Sequence, residues 1–259
     1  MISISKGKYK VEIENGELRS YKAGGYEYMH QKGSPGWGST DTEMFPVIGP
    51  TAAATYRIQV PRGNAIQDQH GLFRELEYQQ ERISANEAVF LKTYKAGTPV
   101  KNSKYPDRSE AQWLVWPYDF SVKKAFVLSD QGLEIRFAVR GEKDMPFMFG
   151  YHPAFQLRTS QPSVKAGGQQ IGLEEVLAVG SRALLVEGLQ EVILQDERKL
   201  KIKTSGFGDF MLWTEVSNMI CIEPITFYPY SIEQHELHKG FEYLGEEERN
   251  FSVILQPVT

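Results

Sequence analysis

The sequence contains a single cysteine, Cys221, among its 259 residues. This excludes an intramolecular disulfide and a zinc site built on paired cysteines. No apolar run approaches the ~20 residues that a membrane-spanning helix needs. The first residues also contain no apolar segment of the length found in signal peptides. We therefore expect a soluble, cytoplasmic protein that has no contact with a membrane.

The chain also lacks an excess of positive charge, since its formal net charge is -4. A basic surface is the usual sign of nucleic-acid binding, so we expect no nucleic-acid partner. The sequence contains no P-loop, no G-x-G-x-x-G fingerprint and no serine in a nucleophile elbow. What remains is a globular composition with 41% hydrophobic residues and many aromatic residues. The sequence leaves the oligomeric state open.

Short apolar runs separated by turn residues dominate the chain. Between Glu87 and Phe149 such runs recur about every 10 residues, which is typical of an antiparallel β-sandwich. Asn15-Gly16 predicts a hairpin turn. Residues 33–51 and 97–110 are predicted to be loops, and one helical turn is predicted within Ile171 to Leu177. No linker or change of composition divides the chain, so we expect an all-β protein with one domain over residues 1–259.

Two titratable side chains end apolar runs immediately before a proline. They are His152, before Pro153, and Glu223, before Pro224. Because proline holds the preceding residue in an extended conformation, each side chain leaves the backbone in a fixed direction. A partly desolvated glutamate is also a better base near neutral pH. The alternatives are a half-buried histidine with ordinary hydrogen bonds, and a glutamate that faces solvent or pairs with arginine.

Three other stretches hold candidate site residues. His70 precedes a glycine and is expected on a turn, and Arg74 follows four residues later, where it pairs with a carboxylate or reaches a ligand oxygen. Trp37 lies among glycines, as an exposed stacking platform or as a lid over the edge of the core. His235 and His238 are one residue too close for an H-E-x-x-H zinc motif, and no third ligand is evident. We therefore expect no metal site.

Taken together, these stretches resemble the aldose 1-epimerase (mutarotase) family, in its bacterial branch of galactose-mutarotase-like proteins. The resemblance runs from about residue 10 to the end. Its main elements are Met44 to Gly49, His70 to Arg74, Trp116 to Phe120, Phe149 to Phe155, Trp213-Thr214 and Ile222-Glu223-Pro224.

The resemblance implies a large antiparallel β-sandwich, a supersandwich, that binds a sugar on an open concave face. It also implies that His152 is the general acid that protonates the ring oxygen, and that Glu223 is the base that takes the proton from the C1 hydroxyl. His70, Arg74 and Trp213 are then expected to bind the substrate. The chemistry needs no cofactor, and the substrate is expected to be a free aldohexose.

One position departs from the family pattern. Many members carry an arginine where this chain has Pro50, so the missing contact is either lost or supplied by Arg57 or Arg74. Two alternative functions stay open. One is an epimerase for hexose 6-phosphates, which would require a basic clamp for the phosphate. The other is a carbohydrate-binding or sensor protein that has lost turnover.

Overall fold

The structure is a computed structural model that describes residues 1–258. Its strands, numbered in chain order, are β1 Ile2–Lys6, β2 Tyr9–Glu14, β3 Glu17–Ala23, β4 Tyr26–Glu27, β5 Asp41–Met44, β6 Arg57–Val60, β7 Gly63–Ile66, β8 Gln79–Ile83, β9 Glu87–Tyr94, β10 Val100–Lys101, β11 Trp113–Leu114, β12 Phe120–Ser129, β13 Gly132–Gly141, β14 Pro146–Phe147, β15 Gly150–Gln156, β16 Ser163–Ala166, β17 Gln169–Gly172, β18 Leu184–Val186, β19 Glu191–Gln195, β20 Lys199–Ser205, β21 Asp209–Trp213, β22 Met219–Ile225, β23 Glu242–Tyr243 and β24 Arg249–Val258.

Helical structure is confined to short segments. The α-helix α1 spans Leu173–Val179, close to the predicted helical turn. The 3₁₀ helices are Ala52–Ala54, Leu72–Glu75, Pro229–Ser231 and Gln234–Gly240. Within residues 1–258, no helix has the length and apolar character needed to cross a bilayer.

Two large antiparallel sheets form the sandwich and confirm the predicted fold class. The nine-stranded sheet has the order β17-β16-β19-β20-β24-β13-β12-β9-β8, and the five-stranded sheet has the order β18-β21-β22-β15-β5. Strands β1 to β4 form a further sheet that contains the predicted hairpin at Asn15-Gly16. The sandwich architecture follows from long runs of alternating residues in which one side is buried.

Aromatic side chains fill the space between the two large sheets. The rings of Tyr151 on β15 and Phe137 on β13 lie 5.2 Å apart, and those of Phe149 and Phe251 lie 4.7 Å apart. The main cluster of buried residues extends along the chain from Ile4 to Leu255. One core of this extent supports the single-domain prediction, which stays a prediction.

The loop prediction for residues 33–51 is wrong in one part. Strand β5 lies inside this range and pairs with β15 at the edge of the five-stranded sheet. Its sequence, Asp41-Thr42-Glu43-Met44, contains no alternation of apolar residues. The reason is that its inward side chains, Asp41 and Glu43, are carboxylates, each 2.7 Å from the buried Lys124 ammonium. Residues 97–110 likewise contain the two-residue strand β10.

Candidate active site

His152 and Glu223 lie directly opposite each other on neighbouring strands. The register of β15 and β22 is fixed on both sides of them by the cross-strand pairs Gly150–Ile225 and Ala154–Cys221. The two side chains therefore leave the sheet on the same face, as cross-strand neighbours do. Nε2 of His152 is 3.3 Å from Oε1 of Glu223. The two prolines that follow these residues lack N–H donors, so the ladder is interrupted where the pair sits.

Successive side chains of a strand point to opposite faces of the sheet, and this alternation places the site and the core on opposite faces of β15. On β15, Tyr151 points between the sheets, where its hydroxyl donates a 2.7 Å hydrogen bond to Asp41. The next residue, His152, therefore points to the opposite face. Although they lie on that outer face, His152 is only 5% exposed and Glu223 only 1%. Glu223 is therefore not a glutamate that faces solvent.

A cavity of about 420 Å³ covers the pair. It contains all five residues that the sequence singled out for catalysis or substrate binding, namely His70, Arg74, His152, Trp213 and Glu223. Its remaining lining includes Trp37, Ile48, Pro50, Gln69, Lys104, Arg108, Met211, Glu215 and Tyr230. Arg57, considered as a replacement for the arginine missing at Pro50, is absent from this lining, whereas Arg74 is part of it.

His70 is held on a turn of unusual backbone conformation. Its φ is 76° and that of Gly71 is 72°, both in the left-handed region. A Cβ added at Gly71 would lie 2.2 Å from the carbonyl oxygen of Phe45, so only glycine fits at this position. The ring of His70 lies edge-on to that of His152, with 5.6 Å between the ring centres. Its Nδ1 is buried without a hydrogen-bond partner among the described residues.

Arg74 brings a buried positive charge into the cavity. Its Nε donates a 3.0 Å hydrogen bond to the backbone oxygen of Glu43. Within residues 1–258, no carboxylate lies within salt-bridge distance of its guanidinium, and one terminal nitrogen is buried without a partner. Arg74 was predicted either to pair with a carboxylate or to reach a ligand oxygen. Its unpartnered nitrogen favours the second role.

Two tryptophans enclose the imidazole of His152. The ring centre of Trp37 lies 4.3 Å away at an interplanar angle of 32°, and that of Trp213 lies 5.9 Å away at 68°. Trp37 is half-buried and reaches the site from the loop before β5. It covers the histidine and also packs against the small buried cluster of Ala154, Met219 and Cys221. The contact with the histidine is one that the sequence alone did not predict.

Burial shifts the proton equilibria of both residues toward their uncharged forms. Desolvation lowers the pKa of His152 well below its usual value, and the positive charge of Arg74 lowers it further. Desolvation raises the pKa of Glu223 from 4.5 to about 8, although Arg74 opposes this shift. At neutral pH these shifts favour a neutral imidazole and a protonated carboxyl group, so that the pair holds one proton.

A loop that contains none of the motifs adds two cations to the wall of the cavity. Lys104 and Arg108 line the cavity, and Nζ of Lys104 donates a 2.8 Å hydrogen bond to the backbone oxygen of Gln69. The buried amide of Asn102 anchors this loop through bonds to Asp68 and Ser109. Sequence reasoning missed both cations because they belong to a polar loop with no motif, and only the fold brings them to the site.

A comparison with known proteins identifies the family of the chain. A sequence model of the family described as Aldose 1-epimerase matches residues 54–205, which is more than half of the chain. The chain belongs to the aldose 1-epimerase family.

Individual relatives are more distant. Protein LacX (plasmid) of Lactococcus lactis subsp. lactis is 27% identical over 147 residues, which cover 54% of this chain and 44% of LacX. A galactose mutarotase-like protein from Lactobacillus casei superposes with a TM-score of 0.80 at 18% identity, over all of both chains. A galactose mutarotase related enzyme from Lactobacillus acidophilus gives 0.75 at 18% identity, over 98% of this chain and 97% of that one. At such identities the structures show a shared fold.

Proposed function

We propose that this chain is an aldose 1-epimerase that interconverts the α and β anomers of an aldohexose. The observation that carries the proposal is the 3.3 Å contact between His152 and Glu223 inside a cavity large enough for a sugar. The reaction concerns two oxygens on one carbon, O1 and O5 on C1. An acid and a base that nearly touch each other can each reach one of these oxygens.

The proposed mechanism needs only the one proton that the pair holds. In ring opening, Glu223 takes the proton of the C1 hydroxyl, His152 gives a proton to O5, and the C1–O5 bond breaks to leave an aldehyde. Rotation about C1–C2 presents the other carbonyl face. In closure the roles are exchanged, since protonated Glu223 returns its proton to O1 while His152 takes the proton from O5 as that oxygen attacks C1.

The pKa shifts fit one stage of this cycle. After ring opening, the imidazole is neutral and the carboxyl group is protonated, which is the arrangement that burial favours. The site therefore stabilises the uncharged pair at the open-chain stage, and a bound sugar must promote the charged arrangement that starts the reaction. The buried cation Arg74 favours the carboxylate form of Glu223.

The test is the rate at which freshly dissolved α-glucose and α-galactose equilibrate, followed by polarimetry or exchange NMR at low buffer concentration. We expect wild type to accelerate equilibration, and His152→Ala and Glu223→Gln each to lose roughly 10²–10⁴-fold in kcat/KM. His235→Ala is the control, because this histidine lies outside the cavity lining. Wild-type rates in the Glu223→Gln variant would contradict the proposed mechanism.

A second candidate substrate is a hexose that carries an anionic group, such as a 6-phosphate. It is favoured by the three cations Arg74, Lys104 and Arg108 in the cavity lining, since a phosphate requires positively charged partners. Lys104 also lies 3.6 Å from the carboxylate of Asp68. We would compare glucose with glucose 6-phosphate in wild type, in the double variant Lys104→Ala/Arg108→Ala and in the control Lys101→Ala. If these cations bind the phosphate, the double variant should have a raised KM for glucose 6-phosphate and an unchanged KM for glucose. The control Lys101→Ala should have wild-type KM values for both sugars.

The same measurements address the sensor alternative. A pure binding site has no need of an acid–base pair, so the retained His152 and Glu223 favour catalysis. If no sugar equilibrates faster with wild type while sugars still raise the melting temperature, the chain binds carbohydrate without turnover.

A further inference from the structure

Cys221 is the one cysteine of the chain, and the proposed mechanism gives it no role. It lies two residues before Glu223 on β22, so its side chain leaves the sheet on the same face. On the neighbouring strands it is paired with Ala154 and Trp213. The small side chain of Ala154 leaves the thiol beside the imidazole of His152. The thiol is fully buried.

These three residues converge at one point. The imidazole nitrogen of His152, the sulfur of Cys221 and a carboxylate oxygen of Glu223 all lie within 4.8 Å of one another. An ion placed among three such atoms is at most about 2.8 Å from each, so movements of at most about 0.5–0.8 Å reach the ~2.0–2.3 Å of zinc bonds. Among residues 1–258, no other group of three such ligands meets this criterion.

The chemistry of the three ligands selects the kind of ion. Nitrogen, sulfur and one carboxylate oxygen suit Zn²⁺, whereas Mg²⁺ and Ca²⁺ prefer oxygen ligands alone. Binding displaces the protons of the Cys221 thiol and the Glu223 carboxyl group into solvent. The thiolate and the carboxylate that remain carry two negative charges, which a divalent ion neutralises in this buried place. The cavity leaves room for water or a sugar hydroxyl as the fourth ligand.

We propose that His152, Cys221 and Glu223 form an inhibitory site for Zn²⁺. An ion held there takes the lone pair of His152 and the carboxylate of Glu223, so neither can exchange a proton with a sugar. The inhibition rests on the proposed epimerase function, whereas the binding of the ion does not. Zinc here is a competitor of catalysis and has no part in the reaction.

Binding is tested without any assay of activity. Isothermal titration with Zn²⁺ should show one site per chain, and Co²⁺ should give the near-ultraviolet absorption of a thiolate-to-cobalt charge transfer. Cys221→Ala and Cys221→Ser should abolish this absorption and weaken zinc binding by at least about tenfold. Either variant suffices if the other fails to fold.

The control is His235→Ala, which removes one of the two histidines in the 3₁₀ helix Gln234–Gly240 and should bind zinc like wild type. Equal zinc affinity in wild type and in both Cys221 variants, without the cobalt absorption, would overturn the proposed site. Inhibition is then measured relative to the metal-free rate of each protein. If Zn²⁺ binds but slows wild type and the Cys221 variants equally, the inhibitory role is wrong even though the site exists. If no sugar is turned over, the titrations still decide whether the site exists.

Discussion

At the scale of single residues, the His152–Glu223 pair should determine how activity depends on pH. In the proposed mechanism the pair works with one proton, so a second proton removes the base and loss of the only proton removes the acid. The pKa of His152 is well below its usual value, and that of Glu223 is about 8. We therefore predict a bell-shaped dependence of kcat/KM with an acidic limb below the usual histidine range and an alkaline limb near pH 8.

This profile is measured with a chelator present, so that traces of metal do not distort it. The control His235→Ala should reproduce the wild-type curve, since it leaves the pair unchanged. A rate that keeps rising through about pH 9 would mean that no group must stay protonated near pH 8, which the paired mechanism does not allow.

Trp37 is the residue whose role the sequence left most open. A tryptophan among glycines is compatible with a platform or with a lid, and only its 4.3 Å contact with His152 decides that it belongs to the site. Loss of this ring would expose the imidazole to water and weaken the desolvation that lowers its pKa. We predict that Trp37→Ala moves the acidic limb of the pH profile toward higher pH, whereas Trp37→Phe moves it less. An unshifted limb in the alanine variant would show that the ring does not control hydration of the histidine.

At the scale of elements, the strands that alternate apolar and polar residues could be predicted and the polar strand β5 could not. The sequence singles out His152-Pro153 and Glu223-Pro224, but these dipeptides do not end their strands, because β15 continues to Gln156 and β22 to Ile225. Their convergence depends on the register between β15 and β22, which no local pattern contains. Strand β5 was missed because its inward side chains are charged, and their partner Lys124 lies about 80 residues away on β12.

The buried ion pairs of β5 lead to a prediction about stability. Burial lowers the pKa of Lys124, but Asp41 and Glu43 outweigh this effect and raise it, so the ammonium stays charged. Lys124→Ala leaves two buried carboxylates without their cation, which should lower the free energy of unfolding by about 3–5 kcal/mol. The measurement is denaturant unfolding at neutral pH.

The neighbouring residue provides a matched control. Lys123 lies on the same strand but is about half exposed, and its ion pair with Glu81 is 3.0 Å long at the surface. Lys123→Ala should cost less than about 1 kcal/mol. If Lys124→Ala and Lys123→Ala lower the free energy of unfolding equally, the buried ion pairs do not hold β5 against the core.

At the scale of the whole molecule, the sandwich buries the His152–Glu223 pair, and this burial lowers the stability of the folded protein. The folded protein favours the protonated form of Glu223, because its pKa rises from 4.5 to about 8. The carboxyl group therefore causes no loss of stability below about pH 4.5. Its cost grows as pH rises from 4.5 to 8 and stays constant above that value.

Glu223→Gln removes this titration and nearly keeps the shape of the side chain. We therefore predict that the free energy of unfolding of the variant rises relative to that of wild type as pH increases. This difference should reach its full value of roughly 2–5 kcal/mol above pH 8. Thermal unfolding of both proteins between about pH 5 and pH 9 measures the difference, and a constant offset from the substitution itself cancels from its pH dependence. A stability difference between the two proteins that does not change across this pH range would mean that Glu223 is ionised in the folded protein already near pH 5. The ionised Glu223 could then act as the base at the start of ring opening without help from the bound sugar.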